Sequence, residues 1–351
     1  LLSYALRAWK TLLCDTRSKF LYVNGVLVYN AWDNDFDIIR KGNFLTLFKE
    51  QMVLENISIP ALCIFDCTNE GVGASDIGNM VNAITTCFTT EVRVLFNVVT
   101  NHHSTYEYKC FPTHMVAHCQ FLRHVNSLNI NWDDIVVDRY FLSLQRRASL
   151  SRVKFTKMLL DTFDENQYII SCASQPDAWM HKSNAISDAF HPRTLPVLVD
   201  GVVDGDDKQH HHTNESFFKC LINIISETSS QTDDDSWRDI FITEKTFKAF
   251  AYRQLPLWFA VPRTVAVVRD MGFDVFDDII NHSYDYEEDE TVRMKMVVDE
   301  LRTFLNNYTY DVMNSLRTQL WNRINKNMEL LTKLESTHNI IKNKLILELI
   351  K

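Results

Sequence analysis

Short, largely apolar runs separated by helix-length stretches most constrain what this chain can fold into. Ala61–Phe65, Val92–Val99, Phe141–Leu144, Leu221–Ile225 and Leu255–Val261 are too short for buried helices. They are also too continuously apolar for strands with one wet face, so they read as strands buried on both sides. Between them, Phe44–Glu55, Asp76–Phe88 and Thr264–Met271 carry helical patterns, the last stopped by Gly272 at a C′ position. This alternation predicts parallel sheets flanked by helices, an α/β fold. Phe20–Tyr29 reads as a hairpin about Asn24-Gly25, and Val292–Lys351 as mostly helical. In that last segment Leu330, Leu331, Leu334, Ile341 and Leu345 recur at near-heptad spacing, suited to packing back on the body or to a coiled pair. A chain of 351 residues is long enough for two domains with substantial cores.

The densest chemistry lies in Phe241-Ile242-Thr243-Glu244-Lys245-Thr246-Phe247-Lys248. Thr243 is a good N-cap, and Phe247, Phe250 and Ala251 recur at helical spacing, which leaves Glu244, Lys245 and Lys248 about the helix entrance. Free N–H groups and the positive end of the helix dipole attract phosphate there. The lysines add point charge for a diphosphate, and a carboxylate accepts from ribose hydroxyls. Taken alone, the eight residues also fit an ordinary capped amphipathic helix. A second cluster follows the Phe141–Leu144 strand: Gln145-Arg146-Arg147, then Ser151-Arg152. Arginine clamps phosphate with two parallel hydrogen bonds. A third piece is Glu227, at the end of the Leu221–Ser226 strand, placed to line a sugar or ribose pocket or to cap the next turn.

The order Thr-Glu-Lys-Thr-x-Lys, a Pro-containing strand, Gly-Phe-x-x-Phe and Tyr284-Asp285 resembles the donor-binding half of a glycosyltransferase family. That family is widespread in phages and large DNA viruses and is related to the α1,3-fucosyltransferases. Phe141-Leu142-Ser143-Leu144-Gln145-Arg146-Arg147 resembles its F-L-x-L-N-R-R block, with Gln145 where Asn is usual and Ser151 where His often precedes the arginine. The resemblance covers roughly residues 136 to 330. It implies a ribose contact for Glu244 and diphosphate contacts for Lys245 and Arg152, with Arg146, Thr243, Glu227 and Lys248 as further donor-binding candidates. It also implies two Rossmann-like domains facing a cleft, the GT-B arrangement. The expected domains are an acceptor-side domain over 1–135, a donor domain over 136–310 and C-terminal helices over 311–351. The boundary itself is expected between Asn129 and Asp138.

On this reading the chain transfers a sugar from a nucleotide-diphosphate sugar, its co-substrate, and needs no metal or other cofactor. The acceptor stays open among a hydroxymethylated DNA base, a protein and a glycan. His102, His103, Tyr106, Tyr108 and Lys109 offer a DNA acceptor only a weak groove. Glu70 and Asp66 are the candidates for a general base, because they follow a predicted strand at the edge where open α/β sheets place ligands. The competing reading is a non-catalytic scaffold or binding module on a degenerate sugar-nucleotide fold, which the departures at Gln145 and Ser151 keep in play.

Other clusters point to less. His114 and His118, with Cys119, lack the acidic or cysteine partners of a zinc site, and a structural or acceptor-side role fits them better. Asp204-Gly205-Asp206, beside His210-His211-His212, reads as a solvated loop rather than a metal-holding DxD, and Asp233-Asp234-Asp235 as an exposed acidic turn. The eight cysteines include no CxxC pair and several sit in apolar runs, as reduced core residues of a cytoplasmic protein do, in the host cytoplasm if the chain is viral. A net charge of −9 disfavours a surface that grips nucleic acid throughout. No apolar run approaches a membrane span, and the start shows no signal-peptide pattern. The first residue is Leu rather than Met, which leaves open a preceding segment.

Overall fold

The structure is a computed structural model and describes residues 20–23, 26–30, 62–67, 93–98, 110–112, 125, 128, 130–145, 149–172, 215–227, 240 and 242–350. The chain divides into two compact units. One comprises Leu1–Ala117, Asp233–Ile242 and Glu335–Lys351, the other His118–Thr232 and Thr243–Leu334.

The first unit holds a five-stranded sheet in the order β1-β2-β3-β4-β5. Its strands are β1 (Phe20–Val23), β2 (Val26–Asn30), β3 (Leu62–Cys67), β4 (Arg93–Val98) and β5 (Cys110–Pro112). β1 and β2 pair antiparallel with Val23 opposite Val26, as the Asn24-Gly25 signal predicts. The remaining pairs are parallel. Asp66 lies near the C-terminal end of β3, in register with Asn30 on one side and Asn97 on the other.

The second unit holds a four-stranded parallel sheet in the order β7-β6-β8-β9. Its strands are β6 (Arg139–Gln145), β7 (Tyr168–Cys172), β8 (Cys220–Ser226) and β9 (Leu255–Phe259). Every residue of β8 and β9 is buried, which is why both read as apolar runs without alternation. Asn223 survives inside β8 because its amide donates to Gln254 Oε1 at 2.8 Å, and the Gln254 amide donates to the Cys220 carbonyl at 3.1 Å. Pro256 is tolerated because β9 is an edge strand of this sheet. From β6 the chain passes through helix α1 (Leu150–Thr162) to β7, then returns to the other side of β6 for β8. Strand order therefore reverses between β6 and β8. In open α/β sheets the crevice beyond the carboxyl ends at such a point is where ligands bind.

Helices seal the second sheet. Phe155 of α1 stacks on Phe259 at 4.4 Å between centroids. A one-turn helix α2 (Ser216–Lys219) leads into β8, and α3 (Glu244–Ala251) leads into β9. Phe247, Phe250 and Ala251 of α3 are all buried, and Phe250 stacks on Phe273 at 4.3 Å with nearly parallel rings. α3 ends in an αL residue, Arg253 at φ 57, with Gln254 N–H bonded to Ala249 O and Arg253 N–H to Phe250 O, a Schellman closure. Next come α4 (Thr264–Asp270), α5 (Glu290–Asn307) and the long α6 (Tyr310–Ile350). Met313, Leu316, Leu320, Ile324, Met328 and Leu331 form a buried stripe along α6, so within the second unit this helix packs back on the body. Its Arg323 guanidinium pairs with both Asp274 and Asp278, tying the helix to the loop after α4.

Gly272 has φ 94 and closes α4 as expected. A Cβ there would meet only Leu330 Cδ2 at 3.5 Å, an ordinary contact. Gly272→Ala should therefore lower stability by the backbone penalty alone, about 1 kcal/mol. A urea unfolding curve with a much larger loss would mean that the loop around Gly272 has no slack.

Candidate functional site

The polar side chains of the second unit converge where β6 and β8 end. Glu227 directly follows β8 and is 2% exposed. Its Oε1 accepts from the Thr243 backbone N–H at 3.1 Å and from the Thr246 hydroxyl at 2.7 Å, and its Oε2 accepts from the Thr243 hydroxyl. A carboxylate on the sheet edge thus holds the start of a helix 16 residues further along the chain. Thr243 is the N-cap of α3, its oxygen accepting from Lys245 N–H at 3.3 Å. The Lys245 ammonium donates to the same oxygen at 3.0 Å and lies 3.5 Å from the Glu244 carboxylate. Lys245 and Glu244 keep 30% and 14% of their side-chain surface exposed, so this entrance remains open to solvent.

Arg152 closes the other side. It is the third residue of α1, whose N-cap Ser149 accepts from Arg152 N–H at 3.3 Å. Its Nη2 donates to the carbonyls of Ser226 at 3.1 Å and Glu227 at 2.9 Å, the last two acceptors at the end of β8. Gln145 ends β6, 2% exposed, with its amide nitrogen donating to Ser143 Oγ at 3.1 Å and Ser226 Oγ at 2.5 Å. Cys172, its register partner on β7, has its thiol pushed up by burial, an effect tempered by the Thr156 hydroxyl and the Arg152 charge. Cys172 and Cys220 are both buried and neither forms a disulfide among the described residues.

Behind the entrance runs a second layer. The Trp258 indole N–H donates to Thr246 Oγ1 at 3.0 Å, and Trp258 backbone N–H donates to the Tyr284 hydroxyl at 3.3 Å. His282 Nε2 lies 2.8 Å from the Val275 carbonyl, which only accepts, so Nε2 carries the ring proton. Nδ1, 2.8 Å from Tyr284, then accepts the phenolic proton of a neutral ring. Asp285, 3% exposed, accepts from Val265 N–H at 2.9 Å and Ala266 N–H at 3.0 Å and so caps α4.

The neutral state of His282 has a pH consequence. Burial lowers its pKa below the usual 6.5, with Arg269 adding to the effect and Val275 and Asp277 opposing it. Between the lowered folded value and 6.5 the unfolded chain binds more protons, so stability rises with pH. The stabilisation is complete above about 6.5 and is lost as pH falls through the folded pKa. Asp285 is raised by burial and acts in the opposite sense, losing stability as pH climbs through its folded value. A His282→Asn variant keeps Asp285, so the difference between wild-type and variant urea curves from pH 5 to 7.5 isolates His282. Wild-type minus variant stability should rise with pH up to about 6.5, and a constant difference would remove the assignment.

Of the residues singled out from sequence, Arg152, Glu227, Thr243, Glu244 and Lys245 meet at this one edge. Lys248 is half-buried on the same helix. Asp66 lies on β3 of the first unit, and Arg146 and Glu70 fall outside the described residues. Asp204, Asp206, His114 and His118 fall outside them as well. Ser226, Thr246, Trp258 and His282 join them through hydrogen bonds and are not among the sequence candidates. The second threonine of Thr-Glu-Lys-Thr was the available signal for Thr246; nothing in the pattern distinguishes Trp258 or His282 from core. Among the described residues no group of His, Cys, Asp or Glu is arranged to hold a metal ion, and no helix is long and apolar enough to cross a membrane.

These features define an α/β protein with a polar, cation-bearing site at the switch point of a parallel sheet. No protein-family model, curated protein or solved structure matches the chain.

Proposed function

We propose that this chain is a glycosyltransferase that binds a nucleotide-diphosphate sugar at the carboxyl edge of the β7-β6-β8-β9 sheet. One observation carries the reading. The Thr243-Glu244-Lys245 helix start is hydrogen-bonded to the end of β8 through Glu227, beside Arg152 at the start of α1. Two helix N-termini and two cations thereby converge where an open sheet favours a ligand, and each feature suits a diphosphate. In the transfer reaction the bond from the anomeric carbon to the diphosphate breaks and the acceptor oxygen bonds to that carbon. Negative charge builds on the departing diphosphate, and Lys245 and Arg152 are the groups to meet it. Glu244 is suited to orient the ribose.

The remaining parts of the proposal stand on pattern. The pairing of two Rossmann-like domains in the GT-B manner is supported by the parallel strands in each unit, considered separately. Asp66 and Glu70 remain the acceptor-side base candidates, and the acceptor is a hydroxylated base, protein or glycan. The reaction proceeds without a divalent ion, because cationic side chains take its place.

The test is a panel of UDP-, GDP-, ADP-, CDP- and TDP-sugars, read by thermal shift and by sugar release. At least one should raise the melting temperature and be slowly hydrolysed, with turnover unaffected by EDTA. A chain inert to the whole panel is the scaffold of the competing reading. Activity lost in EDTA and restored by manganese would transfer the diphosphate role to Asp204 and Asp206.

A further inference from the structure

We propose that Glu227 is a positioning residue for the diphosphate site, acting on Lys245 through the Thr243 hydroxyl and touching no substrate itself. The proposal rests on the nucleotide-sugar reading and assigns Glu227 a task different from pocket lining. Its carboxylate is 2% exposed and already takes three donors: Thr243 N–H, the Thr243 hydroxyl and the Thr246 hydroxyl. Its own backbone carbonyl is gripped by Arg152 at 2.9 Å, which fixes the carboxylate to the sheet edge.

The direction of the hydrogen bonds carries the inference. Thr243 Oγ1 accepts twice, from Lys245 N–H at 3.3 Å and from the Lys245 ammonium at 3.0 Å. Its lone pairs are then occupied, and its single proton must go to a pure acceptor. Glu227 Oε2 is that acceptor. Thr246 repeats the logic, accepting from the Trp258 indole at 3.0 Å and donating to Glu227 Oε1. Both threonine hydroxyl protons and the Thr243 N–H point at the carboxylate. Glu227 therefore sets the polarity that lets Thr243 cap the helix and hold the ammonium at once. An amide in its place presents an N–H either to Thr243 Oγ1, already accepting twice, or, turned over, to the Thr243 backbone N–H, so in both orientations the Thr243 anchor of the ammonium is weakened.

The experiment uses Glu227→Gln and Thr243→Gly, each alone and combined with Lys245→Ala. Glycine is nearly as good an N-cap as threonine, so Thr243→Gly removes the connecting hydroxyl with little loss of helix stability and serves if Glu227→Gln does not fold. Calorimetry measures affinity for the tightest-binding member of UDP, GDP, ADP, CDP and TDP, and for its parent nucleoside. Each single variant should weaken diphosphate binding about tenfold, the worth of one charge-assisted hydrogen bond. Nucleoside affinity should stay unchanged, and neither variant should add to the loss in the Lys245→Ala background. Unchanged diphosphate affinity, an equal loss for the nucleoside, or full additivity with Lys245→Ala each overturns the proposal. A wild-type chain that binds none of the five diphosphates instead removes the nucleotide reading itself, and this proposal with it.

Discussion

Lys245→Ala is expected to weaken nucleoside-diphosphate binding by about 2–4 kcal/mol, because it leaves phosphate charge without its counter-charge in a partly enclosed site. The melting temperature should hardly move. Lys245 is 30% exposed and its bonds go to Thr243 and Glu244 at the helix entrance, not to the core. Arg152→Ala should weaken binding by a similar amount but behave differently toward heat. Arg152 is 6% exposed, and its Nη2 satisfies the carbonyls of Ser226 and Glu227. Removing it leaves two buried acceptors unpaired at about 1–3 kcal/mol each, so the second unit should also lose roughly 3 kcal/mol of stability. Arg263 is the control. It is exposed, and its αL backbone, not its side chain, serves the turn before α4. Arg263→Ala should leave nucleotide affinity intact. Calorimetry beside thermal melts decides the matter: unchanged affinity in both Lys245→Ala and Arg152→Ala would sink the donor-site assignment.

The contrast between those two cations shows how far the sequence could be read. The strands at Leu221–Ser226 and Leu255–Phe259 were legible because burial on both faces leaves no polar alternation to confuse the pattern. The Thr243 cap and the Gly272 stop were legible because each is a local backbone requirement with a side-chain signature. Arg152 was legible as a cation near a strand end. That its guanidinium would bond to β8 was not, since Arg152 and Ser226 are 74 residues apart. Glu227 was read with two meanings, pocket or cap, and only its distance to Thr243 bears on them. Tyr284 was legible only as part of the Tyr-Asp pattern, and the hydrogen bonds that join it to His282 and Trp258 were not, because a side chain's type carries no mark of the partner it finds.

Asp285 caps α4, and Arg293, 1% exposed, donates to the carbonyls of Ala260, Glu287 and Glu288. Both hold backbone at the carboxyl side of β9. Lys245 and Glu244, by contrast, are fixed at the α3 entrance and keep 30% and 14% of their side-chain surface exposed. Ligand contact is therefore best sought at the helix entrance beside Arg152, with Asp285 and Arg293 holding the neighbouring backbone in shape.

The largest effect on rate is expected on the acceptor side. Asp66 is in register with Asn30 and Asn97 near the C-terminal end of the first sheet, and Glu70 follows four residues later. If the first unit presents the acceptor, as proposed, a carboxylate at or after the carboxyl end of β3 is a candidate to meet the acceptor hydroxyl. If one of the two removes the acceptor proton, replacing it with the matching amide keeps shape and hydrogen bonding but abolishes the base. Asp66→Asn or Glu70→Gln should then reduce kcat by about a hundredfold or more, while donor affinity stays nearly unchanged because the base acts on the acceptor alone. A carboxylate that merely caps a helix gives the opposite pair of results, a lower melting temperature with turnover retained. Measuring kcat, donor Kd and melting temperature on both variants separates these cases. Full turnover in both would move the search for the base to His102 and His103, the nearest titratable side chains after β4.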